Sequence, residues 1–346
     1  MLKVLAPDSA AGTSIPAMED LMSRTNFRFA VCLILICWTA AAVVSASAQT
    51  FLHIPGSLSS IAAGRNEVWG LQFPGGLIWR FNPSTQLFYQ VSGSLSQIAV
   101  GGGTLLQPDQ VWGVNGAGVF SFNLTNNAYI QHNPPGATTY FSQVAVGKGG
   151  ALDSTGCHPF EVWGLAASVP ASSGLPYRYN YCTNEFVQVA PPSSTPLTHI
   201  ATGGGDVWAL DANAYIWHCV LASGSEEWTR VGGGYEGTLQ QITVGVNDVW
   251  GLDGYGTVYR YDPIYGTFVS NPSWGNVGYD VTRIAAGGDG VWTVVGGTDY
   301  VEFFNPSTQS LERLEPFLSP WAQITVGSGA GIWMLNSSNQ IYNFIP

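Results

Sequence analysis

Three features of the 346-residue sequence predict an all-β fold, a seven-bladed β-propeller of four-stranded antiparallel blades. A tryptophan recurs at Trp69, Trp112, Trp163, Trp208, Trp250, Trp292 and Trp333, at intervals of 41 to 51 residues. Around each lie short segments rich in Val, Ile and aromatics, bounded by Gly, Asn, Pro or Ser, which is the pattern of strands joined by turns. Helical spacing does not persist anywhere beyond the first 48 residues. A period of about 40–50 residues holding four strand patterns is that of a propeller blade.

The fullest repeat supplies the template, with strand A read at 58–64, B at 67–71, C at 77–81 and D at 88–91. So small a sheet cannot cover both its faces alone. The repeated Trp is therefore assigned to the wedge between neighbouring blades, where its large apolar area counts most. A glycine closes strand A in every repeat, at Gly64, Gly101, Gly147, Gly203, Gly245, Gly287 and Gly327. Beside a narrow central channel a side chain would collide there, or a positive φ is required. The seventh repeat ends at Pro346 without a fourth strand, while residues 51–61 copy 88–98 almost position for position. Residues 51–55 are thus expected to be the outer strand of blade seven, closing the ring and covering a sheet edge.

The propeller is assigned to residues 49–346, and residues 1–48 to a leader. An apolar run at 29–44 follows Arg24 and Arg28 and precedes Ala46-Ser47-Ala48, the form of a secretory signal peptide cleaved after Ala48. The run is short for a membrane span of about 20 apolar residues; an uncleaved signal anchor is the alternative. Residues 1–21 carry Asp8, Glu19 and Asp20, so Met22 is the better start. Export to a secreted, periplasmic or extracellular location follows.

A net charge of −11, with Lys148 the only lysine beyond the leader, argues against nucleic acid or an anionic membrane as partner. Charged residues make up 10% and aromatics 13% of the chain, a surface suited to sugars and other neutral ligands. Glycans or glycoconjugates are the expected partners, with a protein partner as the alternative, and the chain is expected to be a monomer.

Blade three is irregular, with insertions at 148–160 and 166–175. Cys157 precedes its strand B and Cys182 follows its strand C. The A–B and C–D loops of an up-down blade emerge on one side, so a Cys157–Cys182 disulfide is expected in an exported protein. Cys219 stands where other C strands carry Phe81, Tyr179 or Tyr261, and reads as a buried free thiol, pairing with a loop cysteine being the alternative. Asp206, Asp248 and Asp289, just before strand B, read as turn residues, because one carboxylate per loop makes a poor calcium cage. Asn115, Asp211, Asp253 and Asn336, three residues after the Trp, read likewise. No spacing marks a metal site, and no cofactor is expected. The histidines His53, His132, His158, His199 and His218 fall in unrelated repeat positions, outside any recognisable nucleophile motif.

A pyranose has an apolar face and a rim of hydroxyls, so its sites pair an aromatic platform with planar hydrogen-bonding groups. The candidates are Trp79, Arg80, Arg178, Trp217, Tyr255, Tyr259 and Arg260, partly repeated from blade to blade. Equivalent weak sites would gain by avidity. The competing reading is that Trp79, Trp217 and Tyr259 pack on the neighbouring blade.

With these residues in view, the chain resembles the tectonin family of β-propeller lectins. The likeness is carried by Gln97–Gly101 with Val111–Asn115, Gln241–Gly245 with Val249–Asp253, and Val258-Tyr259-Arg260. Phe88–Gly93 and Trp228–Gly232 supply the D-strand ending. The resemblance covers 51–346 and implies recognition of sugars on microbial or cell surfaces, at several sites per ring. Two features depart from it: well-known members have six repeats, and most fourth strands here carry Phe or Tyr where the family favours Trp. A fainter likeness, through Ile284–Trp292, is to the streptogramin-lyase type of propeller, whose His/Glu site is not evident. The readings that stand are a non-catalytic lectin-like protein, a protein-interaction scaffold, and a propeller lyase or hydrolase.

Overall fold

The computed structural model describes residues 50–132, 140–148, 157–167, 174–222, 225–232, 239–270, 281–296, 300–314 and 320–345. The expected signal peptide and start site lie outside the described residues. Those described contain twenty-eight strands in seven four-stranded antiparallel sheets.

The first strand, β1 (Thr50–Ser57), belongs to the last blade. Blade one is β2 (Ser60–Ala63), β3 (Val68–Gln72), β4 (Leu77–Asn82) and β5 (Leu87–Ser94). Blade two is β6 (Gln97–Gly101), β7 (Gln110–Asn115), β8 (Gly118–Asn123) and β9 (Ala128–His132). Blade three is β10 (Phe141–Lys148), β11 (Phe160–Ala166), β12 (Pro176–Asn180) and β13 (Glu185–Gln188). Blade four is β14 (Leu197–Gly203), β15 (Asp206–Asp211), β16 (Ile216–Ala222) and β17 (Ser225–Val231). Blade five is β18 (Leu239–Val244), β19 (Val249–Asp253), β20 (Val258–Asp262) and β21 (Thr267–Ser270). Blade six is β22 (Val281–Gly287), β23 (Gly290–Val295), β24 (Val301–Asn305) and β25 (Ser310–Arg313). Blade seven is β26 (Trp321–Val326), β27 (Ile332–Asn336) and β28 (Gln340–Ile345), completed by β1. The closing register runs from Thr50 opposite Ile345 to Ser57 opposite Gln340, so the two ends of the ring share one sheet as the sequence predicts.

The core is divided among the seven interfaces between blades, each holding one apolar cluster built on one repeated Trp. Six of these tryptophans meet the edge of an aromatic ring from strand C of the next blade. The pairs Trp69–Phe122, Trp112–Tyr179, Trp208–Tyr261, Trp250–Phe304, Trp292–Phe344 and Trp333–Phe81 have centroids 4.6–4.9 Å apart. Each such edge-to-face pair adds about 0.5–1.5 kcal/mol to the burial of its area. The seventh interface differs. Cys219 replaces the strand C ring, and Trp228, its cross-strand partner in β17, reaches Trp163 instead at 5.9 Å. A small residue and an oversized neighbour together fill the space that two medium rings fill elsewhere. Cys219 is a buried free thiol, as expected, and desolvation raises its pKa to about 12.

The innermost strands are stitched together by the glutamine that opens the repeated Gln-Ile-x-Val-Gly pattern. Gln143 accepts from the Ile200 N–H and donates to the Ile200 carbonyl. Gln97 does the same to Val144, and Gln323 to Ile61 across the closure. In blades three to seven the register slips by one residue just before this position, and such a bulge re-aims a side chain.

At the other end of strand A, a Cβ on Gly101, Gly203 or Gly327 would stand 2.5 Å from a carbonyl oxygen of the next blade. Close approach is thus what demands these glycines; positive φ falls one residue later, at Gly102 and Gly204. In blade three Cys157 and Cys182 form the expected disulfide, with Cα atoms 5.1 Å apart.

Candidate functional site

The residues proposed from sequence to hold a ligand are distributed over several interfaces. Arg80, Arg178 and Arg260 lie directly across the sheet from Trp69, Trp163 and Trp250. Each guanidinium sits over its indole, 5.5, 5.9 and 5.5 Å from the ring centroid. Glu67 grips Arg80 through both carboxylate oxygens, at 2.8 and 2.7 Å. Glu161 does the same for Arg178 at 3.0 and 2.7 Å, and Glu226 of blade four takes its remaining edge at 2.8 Å. Burial opposes the Arg178 charge, and the two carboxylates more than offset it, so its pKa is raised. Arg178 is buried, and Arg260, with Asp248 at 3.7 Å, is looser and more exposed.

Trp79, Trp217 and Tyr259 lie across from the small residues Gly70, Ala209 and Gly251 and point to the opposite side of their sheets from the arginines. All three pack on the preceding blade. Trp217 donates to Asp211, and the buried Tyr259 hydroxyl to Asp253, both at 3.0 Å. Of the seven only Tyr255 stands free in solvent, 80% exposed, on a turn organised by the Asp253 carboxylate. Arg178 and Trp217 share the interface between blades three and four, and Tyr255 and Tyr259 meet at the Asp253 carboxylate.

Asp211, Asp253, Asn115 and Asn336 are turn organisers as expected, each accepting backbone N–H groups two to four residues on. Of the aspartates before strand B, Asp289 lies in a turn as expected, and the side chains of all three also make cross-links. Asp206 meets His218, Asp248 meets Arg260, and Asp289 accepts the N–H groups of Gly329 and Gly331 from blade seven. Asp109, which the repeat pattern did not single out, is 2% exposed and accepts four backbone N–H groups, three of them from blade one.

Among the described residues, a serine–histidine pair is assembled. Ser121 Oγ lies 2.7 Å from His132 Nε2, and Nδ1 lies 3.0 Å from the Tyr179 hydroxyl. Burial holds the His132 pKa below the ordinary imidazole value. The ring lies 4.7 Å from Trp112, in the place that arginine takes over the Trp of blades one, three and five. It is a packing element of the interface. Among the described residues no group of three His, Cys, Asp or Glu stands close enough to hold a metal ion.

A groove of 390 Å³ runs along the outside of the ring between blades one and two. Phe120, Tyr129, Ile78 and Leu95 form its apolar walls, with Ser92, Ser94, Asn115 and Asn127 among its polar groups; no charged side chain lines it. The Tyr129 hydroxyl is buried with no hydrogen-bond partner, and desolvation raises its pKa, so it is held protonated. Asn115 is fixed by donating to the Ser94 carbonyl at 2.8 Å. The sequence did carry signs of this groove, the aromatic of strand D and the Asn after the Trp. Which interface would open could not be read from a motif present in several blades.

Fold and site together define a seven-bladed propeller closed by its first strand, with a neutral, aromatic-walled groove on its rim. The Tectonin domain model matches residues 37–189, in keeping with the resemblance of the repeat motifs there to the tectonin family. No curated protein matches the chain. Human WBSCR16 superimposes with a TM-score of 0.58 at 12% identity, over 85% of this chain and 87% of that one. The Myceliophteria thermophila Cps50 (Swd1) β-propeller domain gives 0.60 at 9%, over 85% and 98%. A chain of the Mitotic Checkpoint Complex gives 0.57 at 10%, over 96% and 98%. At these identities the likeness is one of fold.

Proposed function

We propose that this chain is an exported, non-catalytic, lectin-like binding protein that takes a neutral sugar ring in the groove between blades one and two. The supporting observation is a groove with no charged side chain among its lining residues, walled by Phe120 and Tyr129, with the Tyr129 hydroxyl buried beside it without a partner. An apolar sugar face rests on Phe120 and Tyr129, and the ring hydroxyls meet Tyr129, Ser92 and the Asn115 amide. Its volume falls in the range of about 300–1,000 Å³ typical of small-ligand sites, which pair apolar walls with a few placed polar groups. The sequence-derived set then divides by exposure: Tyr255 is open to ligand, while Arg178 and Tyr259 hold blades together.

The test is a glycan array probed with the folded chain, followed by titration of the best glycan against Tyr129→Phe. Removing that single hydroxyl is expected to weaken binding about three- to tenfold, the effect of one hydrogen bond. A blank array, or a Tyr129→Phe variant that binds as well as the parent, sinks this assignment. The scaffold reading is favoured by Ile264 and Tyr265, exposed together on the C–D turn of blade five. It would be supported by a blank array together with capture of one defined partner that is lost in an Ile264→Ser, Tyr265→Ser variant.

A further inference from the structure

The central channel opens, at the face carrying the A–B loops, into a cavity of 620 Å³. Its lower wall is the side chain preceding the repeated glycine of each blade. These are Val100, Val146, Val244 and Val326, with the smaller Ala63 and Ala286 and a single threonine. Above that ring the wall is mostly glycine backbone, which leaves the space unfilled. The lining includes Arg65 and Lys148, from blades one and three. In a chain of net charge −11 that is a local reversal, and it uses the only lysine beyond the leader.

The acid lining the cavity, Asp109, is buried and held by four N–H groups; its charge offsets one of the two cations, and Arg65, Lys148 and Asp109 together leave the lining with one net positive charge. Arg65 spends one nitrogen on the Ser328 carbonyl, and Lys148 is exposed. Leu105 and Leu106, on the loop between β6 and β7, also line the cavity while standing 84% and 94% exposed. Large apolar side chains left so bare beside a cavity extend its apolar wall outward.

We propose that this channel mouth binds a small amphiphilic anion, its apolar body on the valine ring and its anionic head at Arg65 and Lys148. The chemistry follows from the order of the layers: apolar below, uncharged backbone between, cationic at the rim. Neither cation belongs to the groove between blades one and two, so the two sites stand or fall separately.

The test is calorimetric titration of the full chain with octanoate, octanol and octylammonium, which share one tail and differ in head charge. Octanoate is expected to saturate a single site, octanol to bind about tenfold more weakly and octylammonium more weakly still, the octanoate complex alone weakening with salt. Lys148→Met should cost octanoate about fivefold and leave octanol unchanged. Val100→Thr, nearly the same shape but with a hydroxyl, should weaken both. Tyr129→Phe should change neither. No saturable heat with octanoate, equal binding of octanoate and octylammonium, or unchanged octanoate affinity in both Lys148→Met and Val100→Thr would overturn the proposal. Unaltered near-ultraviolet circular dichroism in the variants establishes that the fold has been kept.

Discussion

Asp109 offers the sharpest test of how the ring is held. Its Oδ1 accepts the N–H groups of Arg65 at 2.9 Å and Gly103 at 3.2 Å, and its Oδ2 those of Asn66 at 2.7 Å and Glu67 at 2.9 Å. Blade two thereby organises the A–B loop of blade one. Replacing Asp109 with alanine leaves four donors without an acceptor at a position only 2% exposed. Bonds to a charged acceptor contribute about 1.5–3 kcal/mol each. They are not additive here, because the two loops can open and hydrate their donors; removing one partner of a buried charged contact costs about 3–5 kcal/mol. At roughly 2–4 °C per kcal/mol for a domain of this order of size, the melting temperature should fall by about 10 °C. Asp109→Asn is nearly isosteric, yet it turns an NH₂ donor toward two of the N–H donors and should lose at least half as much. Urea denaturation reads the stability, and hydrogen exchange at the Asn66 and Glu67 amides reads the loop. A loss below about 1 kcal/mol in the alanine variant, or unchanged protection at those two amides, would refute the latch.

The compensation between Cys219 and Trp228 should show as coupling. Cys219→Phe alone overpacks the interface at a cost of about 1–3 kcal/mol, and the addition of Trp228→Phe should restore most of it in a double-mutant cycle by chemical denaturation. Gln143→Leu strands the Ile200 N–H and carbonyl and should cost about 1–3 kcal/mol, with faster exchange at the Ile200 amide. Reduction of Cys157–Cys182, 25 residues apart, should lower stability by about 3 kcal/mol, measured by denaturation with and without reductant. Burial lowers the pKa of His199 below its ordinary 6.5, despite a backbone hydrogen bond that raises it. The unfolded chain therefore takes up the proton first. Stability should be full above pH 6.5 and fall as the pH drops from there through the lower folded-state value; His199→Gln should flatten that slope.

Much of the architecture was legible because a repeat reports each constraint seven times. The Trp positions, the strand order and the closing strand followed from period and alternation, which depend on local chain geometry. The disulfide followed from which loops share a side. The candidate ligand residues fared differently. Arg80, Arg178 and Arg260 carry the right chemistry for a sugar, but each lies across the sheet from its Trp, between blades, and Glu67 and Glu161 grip the first two. Alternation along strand C says that Trp79 and Arg80 point to opposite sides. It does not say which side is covered, since both sides of a blade face a neighbour. Asp109 escaped notice because its partners are 42 to 44 residues earlier, in another blade.

What the sequence determined by itself is therefore the set of things that recur: seven blades, an apolar wedge in each interface, glycines where backbones nearly touch, and a shared last sheet. What only the tertiary structure decided is where the repeats differ to effect. It shows that Cys219 and Trp228 trade volume, that Phe120 and Tyr129 wall a groove between blades one and two, and that Arg65 and Lys148 line one cavity with four valines. The physical reason is that each of these depends on contacts between blades, made only when the ring assembles. Local propensity and spacing carry no information about such contacts.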